Sequence, residues 1–288
     1  NQASSQFGFT VATAGDINGD GFSDVIIGAH EYDNGNTGEG AVFVYLGSAT
    51  GMGTTAGWSA ESNNIFAHFG SSVSSAGDVN ADGYNDVIVG AEEFDNGQID
   101  EGAAFVFQGS ASGLSITFNW SAEGNQESVF FGSSVSNAGD MNGDGYSDVI
   151  VGAYGSDSGQ SNEGAAFVFH GSASGLSLAS NWSAEGNLAD ANFGNSVSCA
   201  GDVNGDGYSD VIVGASSYTN GHMNEGKAFV YHGSASGLSA ISNWTAEGNQ
   251  SFSYFGTSVS SAGDVNGDGF CDVIVGAYGF TNGQTSEG

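Results

Sequence analysis

The sequence has no proline and no arginine, and Lys227 is its only strong base against 33 aspartates and glutamates. The resulting formal charge of −32 argues against nucleic acid and anionic membrane surfaces as partners, because both would repel it. A chain so charged either stays unfolded through self-repulsion or is neutralised by cations. Cysteine is scarce as well. Cys199 and Cys271 are too few for a disulfide framework. They fall at different places in the repeat described below, so a structural pairing is not expected. No apolar run approaches the roughly 18 residues of a membrane-spanning helix. The absence of a leader segment suits a mature or cut portion of a longer protein.

What is present argues for order. Hydrophobic residues make up 39% of the chain and aromatics 12%, so neutralisation by cations is expected rather than disorder. The 50 glycines recur at fixed places instead of forming a low-complexity tract. Phe-Gly occurs at Phe7, Phe69, Phe131, Phe193 and Phe255, each step being 62 residues. Gly-Ala follows at Gly28, Gly90, Gly152, Gly214 and Gly276, and Glu-Gly at Glu39, Glu101, Glu163, Glu225 and Glu287. Trp58, Trp120, Trp182 and Trp244 complete the cycle without an insertion or deletion. A repeat of this regularity decides the architecture before any residue-level detail.

Each unit holds four strand-like runs, named A to D; in the third they cover 131–138, 148–153, 164–169 and 181–185. Run B (DVIVGA) is nearly all apolar, which suits a strand buried on both faces. Run C is aromatic and β-branched, and run D is mixed and expected on the outside. Glycine beside the aromatic of run A would let backbones crowd together near an axis. No segment has a helical period with caps, so the chain is read as all-β. Four short strands in about 60 residues make one blade of a β-propeller. The predicted domain is a single propeller over 1–288, with blades at 7–68, 69–130, 131–192 and 193–254 and two strands of a fifth in 255–288.

The acidic residues concentrate between runs A and B. Asp16, Asn18, Asp20 and Asp24 occupy positions 1, 3, 5 and 9 of a loop with glycine at 6, and Phe22 at position 7 offers its carbonyl. This is the order in which a short loop wraps a hard cation. The same set recurs as Asp78, Asn80, Asp82, Tyr84 and Asp86; Asp140, Asn142, Asp144, Tyr146 and Asp148; Asp202, Asn204, Asp206, Tyr208 and Asp210; and Asp264, Asn266, Asp268, Phe270 and Asp272. Asp, Asn and Gly also favour plain turns, but turn formation does not demand one spacing five times. Three carboxylates within nine residues would repel each other without a counter-ion. About five Ca2+ ions per chain are expected, structural in role, and they would reduce the formal charge from −32 to −22. Magnesium dehydrates reluctantly and rarely accepts a cage built wholly of protein.

Phe-Gly, then D-x-N-x-D-G-x-x-D, then an apolar strand ending in Gly-Ala resembles the FG-GAP repeat of the integrin α-chain propeller. The phrase GSASGLS before the tryptophan strand is similar to bacterial members of that group. In the family these loops join strands A and B and bind calcium. One departure is that Gly-Ala is never followed by proline: His30, Glu92, Tyr154, Ser216 and Tyr278 stand there. The resemblance favours seven blades, implying a longer parent protein. A five-bladed ring, or closure through a second chain, is the alternative.

Compared with one another, the units diverge in the B–C connections (30–38, 92–100, 154–162, 216–224, 278–286) and in the D–A connections (62–68, 124–130, 186–192, 248–254). These share one face of a propeller, where a protein or glycan ligand would bind, although drift in unconstrained loops would look the same. Tyr32, Phe94, Tyr218 and Phe280 recur there, with Ser156 as the exception. They read either as contact residues or as packing over the blade edge. The five histidines read as scattered surface residues, Ala stands where a G-x-S-x-G nucleophile would be, and the Asn-Trp-Ser/Thr sequons read as markers of strand D. The predicted function is an extracellular, calcium-binding, non-catalytic adhesion or protein-interaction module. Alternatives are the repeat unit of a surface filament and an accessory region of a secreted enzyme. The incomplete fifth unit is a possible self-association edge.

Overall fold

The computed structural model describes residues 2–284 and 287–288. Among them there is no helix, and 18 strands form four four-stranded antiparallel sheets and one two-stranded sheet. The first blade comprises β1 (Thr10–Gly15), β2 (Asp24–Ala29), β3 (Ala41–Tyr45) and β4 (Trp58–Glu61). The second holds β5 (Phe69–Gly77), β6 (Asp86–Ala91), β7 (Ala103–Phe107) and β8 (Trp120–Glu123). The third holds β9 (Phe131–Gly139), β10 (Asp148–Ala153), β11 (Ala165–Phe169) and β12 (Trp182–Glu185). The fourth holds β13 (Phe193–Gly201), β14 (Asp210–Ala215), β15 (Lys227–Tyr231) and β16 (Trp244–Glu247). β17 (Val259–Gly263) and β18 (Asp272–Val275) form the fifth sheet.

In every full blade the order is that of the chain, A-B-C-D, as expected for a β-propeller. Strand B is buried along its whole length in blades 2 to 4, because a neighbouring blade covers each of its faces. Two small differences from the sequence reading have local causes. Strand C starts one residue late because Gly164 has a φ of 77° and bridges instead to Phe193 of the next blade. Strand D starts late because the Asn181 side chain accepts the His170 amide at 2.9 Å, holding the turn that precedes the ladder.

The A strands adjoin in the order β1, β5, β9, β13, β17, and glycine sets their separation. A Cβ on Gly90 would stand 1.9 Å from the Gly132 carbonyl oxygen, and one on Gly152 would stand 2.0 Å from that of Gly194. The glycine of Gly-Ala in one blade thus faces the glycine of Phe-Gly in the next, and no other residue fits either place. Beside this contact Phe131 packs on Phe167 and Phe169, with ring centroids 5.6 and 6.3 Å apart. The preceding blade's Trp120 closes the cluster edge-on against Phe169 at 4.8 Å, and its indole N–H donates to the Ser177 carbonyl at 2.8 Å. Ser177 ends the GSASGLS phrase, so that phrase is the seat for the tryptophan of the neighbouring blade. Trp58 and Trp182 repeat the arrangement on Ser115 and Ser239, both at 3.0 Å.

The fifth sheet shows what happens without the outer strands. Trp244 is 44% exposed, against 5% for Trp120, and the outer edge of β18 has no partner strand among the described residues. Part of the fifth B–C connection, 278–286, lies outside the described residues.

Gly90→Ala should lower stability by about 3 kcal/mol, since relieving the clash with a backbone carbonyl requires the blades to part. Urea denaturation in calcium buffer measures this. A loss below about 1 kcal/mol would show that glycine does not fix blade separation.

Candidate metal centres

Each acidic loop is wound around its own first aspartate. Asp16 Oδ1 accepts the amides of Gly19 (2.8 Å) and Asp20 (3.1 Å), and Oδ2 accepts that of Gly21 (2.8 Å). Asn18 Oδ1 accepts the Asp20 amide at 3.0 Å, and Asp20 Oδ1 accepts the Phe22 amide at 3.0 Å. The loops at Asp140, Asp202 and Asp264 repeat these bonds. The second loop departs at Ala81, which takes the left-handed conformation that glycine holds elsewhere (φ 56°). Position 5 is exposed in all five loops, whereas positions 1 and 3 are half-buried in the first four. Amide hydrogen bonds led by that of Gly269 hold the Asp264 carboxyl below its usual value.

Position 9 is different. Asp24, Asp86, Asp148 and Asp210 are fully buried, and each spans two chain segments. Asp148 Oδ2 accepts the Met141 amide at 3.1 Å from its own loop, and Oδ1 accepts the Gly171 amide at 2.9 Å from the C–D turn. Burial pushes the Asp86 and Asp148 carboxyls up to about 7; the amide bonds oppose this and the neighbouring aspartates reinforce it. Among the described residues no C–D turn stands beside Asp272, and its Oδ2 accepts the Val265 amide at 2.9 Å. The loops are also tied across blades: the Asp78 carbonyl accepts the Ser147 amide at 3.0 Å, and the Val79 carbonyl accepts that of Ser172 at 3.1 Å.

The donor chemistry fits a hard divalent cation, being oxygen throughout: three carboxylates, one amide and one main-chain carbonyl per loop. Asp16 Oδ1 already takes two amides, but Asp16 Oδ2 and Asp20 Oδ1 each accept one main-chain amide and keep a second lone pair for a cation. Among the described residues no three His, Cys, Asp or Glu side chains stand together as a ready-made metal group.

The opposite face carries the B–C and D–A connections, which bond to each other, as in Phe130 N–H to the Asp100 carbonyl at 3.2 Å. Sequence reasoning missed a second buried carboxylate here. Glu39, Glu101, Glu163 and Glu225 are buried in every full blade, and Glu163 Oε1 accepts the Ser158 and Gln160 amides at 3.0 and 3.2 Å. The recurrence of Glu-Gly was its only signal. Tyr32, Phe94 and Tyr218 pack on the central aromatic of strand C, at 5.8, 5.5 and 6.0 Å, which favours the blade-edge reading of these residues. The reading of all five histidines as surface residues needs correction. His30 is buried, with its ring 3.9 Å from that of Phe9, and burial lowers its pKa. His68 Nδ1 lies 3.2 Å from Glu93 Oε2. At the equivalent place between blades 2 and 3, Phe130 stacks on Tyr154 at 4.9 Å.

Residues 7–45, 69–107, 131–169, 193–231 and 255–288 each match the FG-GAP repeat. Integrin alpha-4 of Xenopus laevis is 35% identical over 158 residues, which is 54% of this chain and 15% of that protein. Integrin alpha-V of Gallus gallus is 32% identical over 224 residues, covering 73% of this chain and 20% of its own length. The chain thus spans no more than about a fifth of these relatives.

Asp148→Ala leaves two buried amides unpaired and should destabilise the chain by about 3 kcal/mol even with chelator present. Asp144→Ala, at the exposed rim, should cost about 1 kcal/mol or less under the same conditions. Paired urea titrations check this. Equal losses would show that position 9 has no structural role apart from an ion.

Proposed function

This chain belongs to the FG-GAP repeat family, and from that premise we propose that it is a calcium-stabilised, extracellular adhesion or protein-interaction module without catalytic activity. The observation that carries the reading is the fivefold recurrence of one oxygen-only loop, joining strands A and B at the same place in every blade. Five divalent ions would relieve the repulsion among carboxylates such as Asp140, Asp144 and Asp148. Their neutralisation would also fix the loops that tie each blade to the next. The likeness to integrin alpha chains supports the adhesion reading and a cell-surface location. The ligand face is assigned to the B–C and D–A loops, whose chemistry changes from blade to blade while the acidic face stays constant. Ligands of protein or glycan type suit this face.

Metal analysis after dialysis against excess calcium should find about five ions per chain, with affinities of roughly 10⁻⁴–10⁻³ M. At about 10 mM calcium each site then contributes about 1.4–2.7 kcal/mol, so chelation should lower Tm by roughly 15 °C or more. Magnesium should restore little of the loss. A count of zero or one, or an unchanged Tm, overturns the calcium reading.

The exposed edge of β18 carries a second proposal, that isolated chains self-associate there. Ile274 is 60% exposed, and neither charge nor proline interrupts Val273–Val275 to discourage edge pairing. Light scattering in calcium should show concentration-dependent association. Adding a 22-residue C–D segment copied from residues 165–186 should reduce it. A strict monomer at high concentration removes the edge argument.

A further inference from the structure

Cys199 and Cys271 stand at non-equivalent places of the repeat, yet the fold brings those places together across a blade junction. At each junction two side chains approach consecutive amides at the end of strand A. In the first, Gly15 N–H donates to Thr13 Oγ1 at 3.1 Å, and Asp16 N–H donates to Asn85 Oδ1 of the next blade at 2.9 Å. In the second, Gly77 N–H donates to Ser75 Oγ at 3.1 Å and Asp78 N–H to Ser147 Oγ at 3.2 Å. At the fourth junction both members are cysteine, and the chain has no others. Gly201 N–H donates to Cys199 Sγ at 3.3 Å. Cys271 Sγ lies 2.5 Å from where a Cβ on Gly201 would stand, and the Cys271 amide is anchored to the Asp202 carbonyl at 2.9 Å. Backbone dimensions then place the two sulfurs within about 8 Å of each other, a separation that side-chain rotation and small backbone shifts can close. Burial raises the Cys199 thiol pKa, and the nearby Cys271 adds to the shift.

We propose that Cys199 and Cys271, free thiols in this structure, form a disulfide that clips the fourth blade to the fifth sheet. Cys271 is the entry point, because it lines an open groove of about 490 Å³ with His232, Trp244 and Val273. The oxidant is a small-molecule disulfide of the oxidised-glutathione class. The Cys271 thiolate attacks one sulfur of the reagent and releases the first small thiol. The Cys199 thiolate then attacks Cys271 Sγ of the mixed disulfide and expels the second. Two cysteine protons pass to the two released thiols, and the pair of electrons reduces the reagent. An oxidising, extracellular setting favours the linked form. The inference goes beyond the calcium reading and does not rest on it.

The native chain in calcium is incubated with oxidised glutathione, alkylated, denatured and cleaved after glutamate. Peptide 186–225 should appear linked to peptide 248–287, lighter than their sum by two hydrogens, in a monomeric chain. The oxidised chain should melt about 5–10 °C above the reduced one. Cys199→Ser/Cys271→Ser should fold, since serine holds these places in other blades, and its Tm should ignore the redox buffer. Two alkylatable thiols after oxidation, or bridges only between chains, would overturn the proposal.

Discussion

Adjacent blades approach each other so closely at paired glycines that no side chain fits between them, and the rest of the architecture depends on that approach. Gly28, Gly90, Gly152 and Gly214 each face a backbone carbonyl of the next blade at a distance that admits no Cβ. At that separation the aromatic clusters close and tryptophan reaches the serine carbonyl of its neighbour. Each acidic loop then lies near enough to bond to the loop that follows. A wider spacing would lose all three together. The Phe-Gly and Gly-Ala motifs are therefore two halves of one contact, and they recur together because neither serves without the other.

Much of this was legible from the repeat alone. The period gave blade size, and strand B of the third unit begins and ends where its apolar run does. The acidic loops fall between A and B as expected. The relations between non-equivalent positions were hidden. Aligning one unit with another shows which residues correspond, but contacts across a junction join residues that do not. Cys199 and Cys271 look unrelated in such an alignment and are neighbours in space. His30 looks like a surface residue until Phe9 and His68 are seen around it. The buried glutamates were overlooked for another reason: burial of a charged side chain goes against its usual tendency. Only the surrounding loop amides make it possible.

Those glutamates point to how a chain with almost no bases holds acid groups inside. Lys227 forms the single lysine–carboxylate pair, with Glu247 at 2.9 Å, and lies over the Tyr218 ring at 4.8 Å. Apart from the imidazole of His68 beside Glu93 and Glu31, the partners seen at the acid groups below are amides. Glu163 takes two main-chain N–H groups, Asp148 takes two, and Asn96 donates both ways to Glu123 at 3.0 Å. Amides stabilise a carboxylate by direction and partial charge without cancelling its formal charge, so the arrangement secures local geometry and leaves the net charge untouched. Local and global electrostatics are thereby separated. Glu163 and Asp148 are each satisfied by the segments they organise, whereas Glu225 keeps one buried oxygen without a hydrogen bond. The excess charge gathers at the loop rims, where Asp20 and its counterparts are exposed. A cation at a rim would meet carboxylates already oriented by their own backbone, so ordering them would add little to the cost of binding.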